Sequence, residues 1–227
     1  MHVVIAGGHG KIALILEQLL AQRGDKVVGL IRNPAHSADV EDAGAEAKVV
    51  DFEQTTADEV SAHLGGADAV LFAAGAGPGS GAARKETVDR DAAILLADAA
   101  QQAGVRRYVM ISAMGADAEA PDDLGNPVFA AYLRAKGAAD EYIRRCATLD
   151  ATIVRPGLLS DEPGTGRVTI ASETGHGSIP REDVAAVLLA VLDTPATAGQ
   201  TFEAISGETL IAEAVSTSAA NQISGDH

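Results

Sequence analysis

The stretch His2-Val-Val-Ile-Ala6-Gly7-Gly8-His9-Gly10-Lys11-Ile12-Ala13 governs the reading of the whole chain. Val3 to Ala6 form an apolar run without polar alternation, the pattern of a strand buried on both faces. Ile12, Ile15, Leu16, Leu19 and Leu20 then recur at helical spacing. The turn between them reads Gly-x-x-Gly-x-x-Ala. Glycines here let the backbone bend sharply and approach a diphosphate, the helix N-terminus offers free N–H donors, and Ala13 permits close packing of helix on strand. A strand before and a helix after are the context that dinucleotide binding requires, so Gly7, Gly8, His9, Gly10, Lys11 and Ile12 are candidate cofactor contacts.

Working outward, β-rich runs alternate with helix-period segments to about residue 215. Strands are predicted at His2–Ala6, Lys26–Ile31, Ala47–Asp51, Ala69–Ala74, Arg107–Ser112, Thr152–Arg155 and Thr201–Ile205. Alternation of this kind predicts an α/β fold: a doubly wound parallel sheet of about seven strands, a Rossmann fold, in one domain over 1–215. Thr56-x-x-Glu59 reads as a capping box and Gly104 as the cap of a helix over Ala92–Ala103. Residues 216–227 read as a polar frayed tail. Two glycine-rich stretches, Gly75–Gly81 and Ser160–Gly166, are predicted to be mobile loops after the fourth and sixth strands, at the carboxyl edge where ligands bind in such sheets.

Twenty-two residues after Gly10, at the end of the second strand, stands Arg32, where an NAD-specific site usually places an acid for the ribose 2′-hydroxyl. A guanidinium there suits a 2′-phosphate, so NADP is the expected cofactor. Asp51 and Phe52 follow the third strand, where a carboxylate would accept from the adenine amino group and a ring would cover its face. Equally, Asp51 would cap a turn and Phe52 would join the core. Small residues at Ala73, Ala74 and Gly75 would let a ribose lie against the backbone.

Composition narrows the function. Against 17 Lys and Arg stand 32 Asp and Glu, a formal charge of −15, and a polyanion repels phosphate backbones and anionic membranes. Aromatic residues make up 3% with no Trp, which leaves little stacking surface for single strands. Neither nucleic acid nor membrane is an expected partner. Cys146 is the single cysteine and His9, His36, His63 and His176 lack i,i+3 or i,i+4 partners, so no metal site is predicted. With no basic leader or long apolar run, a cytoplasmic location is expected.

Together these motifs resemble the atypical short-chain dehydrogenase/reductases, in particular the small NAD(P)H-binding proteins of the NmrA-like and biliverdin-reductase-B-like type. Besides the glycine turn and Phe72-Ala-Ala-Gly75, the resemblance rests on Val105-Arg-Arg-Tyr-Val-Met-Ile-Ser112, Ile153-Val-Arg-Pro-Gly157 and Arg181-Glu-Asp-Val-Ala185. It implies the strand order 3-2-1-4-5-6-7, cofactor contacts at Pro156 and Gly157, and a substrate pocket over the nicotinamide walled by the loop after them. It also implies that Tyr132 and Lys136 act as the family's Tyr-x-x-x-Lys: Lys136 holds the nicotinamide ribose and depresses the phenol pKa, and Tyr132 gives a proton to the carbonyl that receives hydride. The chain departs from the family at Ser112-Ala113, where relatives carry a second hydroxyl. Ser112 is a candidate donor in its place, although strand alternation points it to the opposite face.

Two readings follow. In one the protein is an NADPH-dependent reductase of a small carbonyl, quinone or flavin-like acceptor, with no lobe for a nucleotide sugar. In the other it is a non-catalytic NADP-binding regulator that signals redox state to a protein partner; a homo-oligomer is compatible with both.

Overall fold

The structure, a computed structural model, describes residues 1–77, 79–122 and 126–223, without the side chains of 221–223. Six strands follow in chain order: β1 (His2–Ala6), β2 (Lys26–Ile31), β3 (Glu46–Val49), β4 (Ala69–Phe72), β5 (Arg107–Ile111) and β6 (Asp150–Pro156). After them come β7 (Leu158–Ser160), β8 (Arg167–Ala171), β9 (Ser178–Pro180), β10 (Thr201–Ser206) and β11 (Thr209–Leu210). The main sheet runs β11-β8-β10-β6-β5-β4-β1-β2-β3. Its seven parallel strands, β1 to β6 and β10, take the order 3-2-1-4-5-6-7 implied by the resemblance.

The strand count is larger than seven. β8 and β11 extend the edge by antiparallel pairing, and β7 and β9 form a separate two-stranded parallel sheet. Two or three residues carry too little periodicity to read from sequence, and Arg167–Ala171 is masked by the glycines before it.

Helices cover both faces. On one lie α1 (Lys11–Gln22), α2 (Ser37–Asp42), α7 (Arg181–Leu192) and α8 (Ile211–Ile223); on the other lie α3 (Ala57–Ser61), α5 (Ala92–Ala103) and α6 (Pro127–Arg145). A short α4 (Ala82–Arg84) leads through a π-helical turn, Lys85–Asp91, into α5. Strand alternation builds the two cores. Val3, Ile5, Val109 and Ile111 pack with Leu16, Leu188 and Val215, whereas Val4, Ala6, Tyr108 and Met110 pack with Val60, Leu96 and Ile143. The capping box is present: the Thr56 hydroxyl accepts from Glu59 N at 3.3 Å, and Glu59 Oε2 accepts from Thr56 N at 3.0 Å. Gly104 ends α5 at φ 72°. No described helix is long and apolar enough to cross a membrane.

Two expectations are corrected. The tail does not begin at Ser216: α8 continues to Ile223 and buries Val215 and Ala219, so exposed Ser216 and Thr217 lie on the outer face of an amphipathic helix. Residues 224–227 lie outside the described residues. The Ser160–Gly166 stretch is tied down rather than mobile. Buried Asp183 accepts from Thr165 N at 2.9 Å and Gly166 N at 2.8 Å, and Glu182 accepts from Gly164 N at 2.7 Å. The other glycine-rich stretch includes Pro78, which lies outside the described residues.

Glu17 of α1 is fully buried with neither carboxyl oxygen hydrogen-bonded, and burial pushes its pKa up to about 8. The folded value exceeds that of the unfolded chain, so this group's contribution to stability is complete below about pH 4.5 and is lost as pH rises through 8. Urea unfolding of Glu17→Gln should therefore lose a decline that the parent shows between pH 5 and 8, on the order of 1 kcal/mol per pH unit. Parallel curves for the two proteins would contradict this.

Candidate functional site

The turn after β1 is built by three glycines with different roles. Gly7 sits at φ +82°, and a Cβ there would fall 2.6 Å from Ala74 Cα. Gly8 is buried, and its Cβ would meet Gly29 Cα of β2 at 2.8 Å. Gly10 is exposed at the N-cap of α1 with an extended backbone. Its nearest neighbour to an added Cβ is Gly7 O at 3.2 Å, so a side chain there would reach into the cleft rather than into the core. The cradle that a Cβ would fill and the free amides at the start of α1 suit the diphosphate of a dinucleotide.

A cleft of about 260 Å³ opens beside this turn, lined by Gly7, His9, Gly10, Arg32, Asp51, Phe52 and Ala73 to Gly75. Arg32 is half exposed and its NH1 lies 3.1 Å from Glu53 Oε2; Arg84 NH2 reaches the same oxygen at 2.8 Å. Sequence reasoning found the first arginine and missed the second, which arrives from a helix 52 residues later. Asp51 closes a turn by accepting from Glu53 N at 3.0 Å, and half-buried Phe52 packs on the core. Both also line the cleft. His9 stacks on His36 with centroids 3.6 Å apart and bonds Asp39 through Nε2 at 2.7 Å. Two candidates stand apart: Gly8 lies beneath the turn, and Lys11 is drawn to Asp161, 2.7 Å from its Nζ.

A larger cavity of about 1050 Å³ continues from the first through Ala73, Ala74 and Gly75. Ile12, Ile111, Leu133, Pro156, Gly157 and Leu159 contribute to its walls, with Phe129 and Leu158 lining it while still exposed. Tyr132, Lys136 and Ser112 all lie on it, as do Lys85 and Asp89, which the sequence analysis did not single out. The signal for this pair was available. Lys85 and Asp89 are four apart, and the i→i+5 bonding of the π-helical turn brings both to the cavity.

The charges here differ from the family scheme. Lys136 is buried; its Nζ donates to Ile111 O at 3.1 Å and pairs with Asp89 Oδ1 at 3.5 Å. Burial lowers its pKa, opposed chiefly by Asp89 and Asp140. Asp140 is itself buried and bound by Arg155 at 2.8 Å. Burial holds the Asp140 carboxyl above its ordinary range, against the pull of Arg155. The Tyr132 hydroxyl is pushed well above the ordinary phenol range by burial, then by Asp89 and Asp140, the opposite direction from the depression that the resemblance implies. Ser112 Oγ is buried and turned to the Asp140 carboxylate, whose pKa it helps to hold down, although the contact falls short of full hydrogen-bond geometry; Ala113 beside it supplies no hydroxyl.

A doubly wound sheet with this turn, and with one crevice along its carboxyl edge, defines a dinucleotide-binding protein of the short-chain dehydrogenase architecture. Residues 7–195 match the NAD(P)H-binding family, and the chain belongs to it, as an atypical, NmrA-like member. It is 36% identical over 216 residues, 95% of this chain and 99% of the relative, to a Bacillus subtilis protein named an uncharacterized sugar epimerase. Among solved structures it is similar to a Bacillus halodurans protein described as an NAD-dependent epimerase/dehydratase, at 36% identity and TM-score 0.86, covering 96% and 99% of the two chains. It is also similar to an oxidoreductase from Lactococcus lactis, at 27% identity and TM-score 0.83, covering 96% of each.

The glycine geometry separates folding from binding. Gly10→Val should abolish NAD(P)H binding by calorimetry while circular dichroism stays native, whereas Gly7→Val should unfold the protein. Retained binding in Gly10→Val would move the cofactor away from this turn.

Proposed function

We propose that the protein is an NADP(H)-dependent reductase that transfers hydride to a small carbonyl, quinone or flavin-like acceptor held in the larger cavity. The observation that carries this reading is the continuity of the crevice: a cleft with a glycine turn and two arginines at one end opens into an apolar-walled cavity at the other. Arg32 and Arg84, already convergent on Glu53, are the groups for a 2′-phosphate. Bound along this crevice, the reduced nicotinamide supplies a hydride. The residues of the chain do the rest. The apolar walls exclude water and favour an acceptor with few hydroxyls, since unpaired sugar hydroxyls in such a wall are costly. Lys136 and Tyr132, one helical turn apart on α6, are candidates for the ribose and for substrate positioning. The relatives named as epimerases are compatible with the same hydride chemistry run reversibly.

The absent hydroxyl at Ala113 and the suppressed acidity of Tyr132 favour a second reading, a cofactor-binding regulator with a protein partner. NADPH oxidation followed against a panel of quinones, flavins and aldehydes separates the two. The reductase reading expects turnover with at least one class; tight NADPH binding with no turnover on any of them would support the regulator.

NADPH should bind more tightly than NADH, and Arg32→Ala or Arg84→Ala should each remove roughly ten-fold of that preference. Exposure at the rim keeps each contact near the low end for a charge-assisted hydrogen bond. Equal affinity of the parent protein for the two cofactors would reject the assignment.

A further inference from the structure

We propose that Lys85 is the catalytic residue that meets the acceptor oxygen of the substrate, as the cation that stabilises the developing oxyanion and then protonates it. The inference rests on the reductase reading and concerns a residue that the family's Tyr-x-x-x-Lys scheme leaves out.

Lys85, Tyr132, Lys136, His176 and Arg181 line the larger cavity with groups able to donate; His176 is exposed, and Arg181 is drawn to Asp161 at 2.6 Å. The ammonium of Lys136 is only 4% exposed in its side chain and is already engaged by the Ile111 carbonyl and by Asp89. Tyr132 is a poor acid here, because burial and the two nearby carboxylates hold its proton. Lys85 is different. Its ammonium makes one hydrogen bond, to Gly77 O at 3.1 Å. It lies 4.0 Å from Asp89 Oδ2, an ion-pair distance too long for a hydrogen bond. It sits 5.1 Å from the centroid of the Tyr132 ring, which fixes its position without consuming a donor. Two N–H groups of Lys85 therefore have no acceptor among the described residues, on a cavity whose walls are mostly apolar.

Placement and charge agree. The π-helical turn Lys85–Asp91 stacks Lys85 over Asp89, and Asp89 is clamped by Lys136 and by Ala76 N at 3.2 Å. Formally, Lys85, Lys136 and Arg155 face Asp89 and Asp140, which leaves one net positive charge in a chain of net charge −15. A positive charge beside apolar walls is worth more to an oxyanion than the same charge in water. As the acceptor carbon gains hydride, a C–H bond forms and the C=O π pair moves onto oxygen. A proton passing from Lys85 Nζ completes the O–H bond, and the neutral amine regains a proton from water. NADPH is the reductant and leaves as NADP⁺.

The test reads the oxyanion site without turnover. Para-nitrophenol is titrated with the purified protein, free of cofactor, and the phenolate fraction is read by absorbance. The parent should bind the ionised probe roughly ten-fold more tightly than the neutral one. Lys85→Gln, which keeps a donor for Gly77 O without the charge, and Lys85→Met should both lose that preference. Lys85→Arg and Tyr132→Phe should keep it. With an acceptor that turns over, Lys85→Arg should lower kcat about 100-fold or more, because a guanidinium does not release its proton. No phenolate preference in the parent, its survival in both neutral variants, or its loss in Tyr132→Phe would overturn the proposal. None of these outcomes bears on the reductase reading, which fails separately if NADPH does not bind.

Discussion

Gly7 turns the chain at φ +82° with its Cα hydrogens pressed on Ala74, and the rest of the site depends on that contact. β1 is an inner strand of the parallel sheet, hydrogen-bonded to β2 on one side and β4 on the other. Its continuation into α1 has to leave between the carboxyl ends of both neighbours. A left-handed residue without Cβ lets the chain reverse within van der Waals distance of the β4 terminus, which sets the first amides of α1 beside Ala73, Ala74 and Gly75. Those three residues line both clefts, so a single backbone approach joins the cofactor groove to the cavity.

The second feature is where the chain places charge. A protein with nearly twice as many acids as bases buries Lys136 against Asp89, and Arg155 against Asp140, next to an apolar cavity. Burial of such pairs seldom adds stability, because desolvation offsets most of the Coulomb attraction. Their effect here is positional. Asp89 links the π-helical turn to α6 and also accepts from Ala76 N, so three segments that are distant in sequence meet at one carboxylate. The cost shows in the tyrosine: burial, and then Asp89 and Asp140, hold the phenol proton in place.

The Ser160–Gly166 stretch illustrates how composition misleads. Its glycines predict mobility, yet Asp183 and Glu182 at the start of α7 accept its amides, and Asp161 bridges Lys11 and Arg181. The acceptors come from residues about 20 positions later, a pairing that no local pattern announces. The polar residues after Ser216 misled in the opposite way. Ile211, Ala214, Val215 and Ala219 carry the helical period, but their apolar face is too small to recognise until α7 and β8 are there to receive it.

What the sequence determined by itself is whatever depends on neighbours along the chain: the buried β1 strand, the glycine turn, the amphipathic α1, the capping box at Thr56 and Glu59, and hence the parallel alternation that defines the fold. Arg32 and the Ala73–Gly75 run were legible for the same reason, since each stands at a strand end whose position follows from that alternation. Only the tertiary structure decided the partners. It brought Arg84 to Glu53, Lys85 and Asp89 to the cavity beside Tyr132 and Lys136, and β8 to the edge of β10. The physical reason is range. Backbone conformation and amphipathicity are set within a turn or two, whereas the charge that a buried side chain sees is set by whichever elements the folded sheet packs against it.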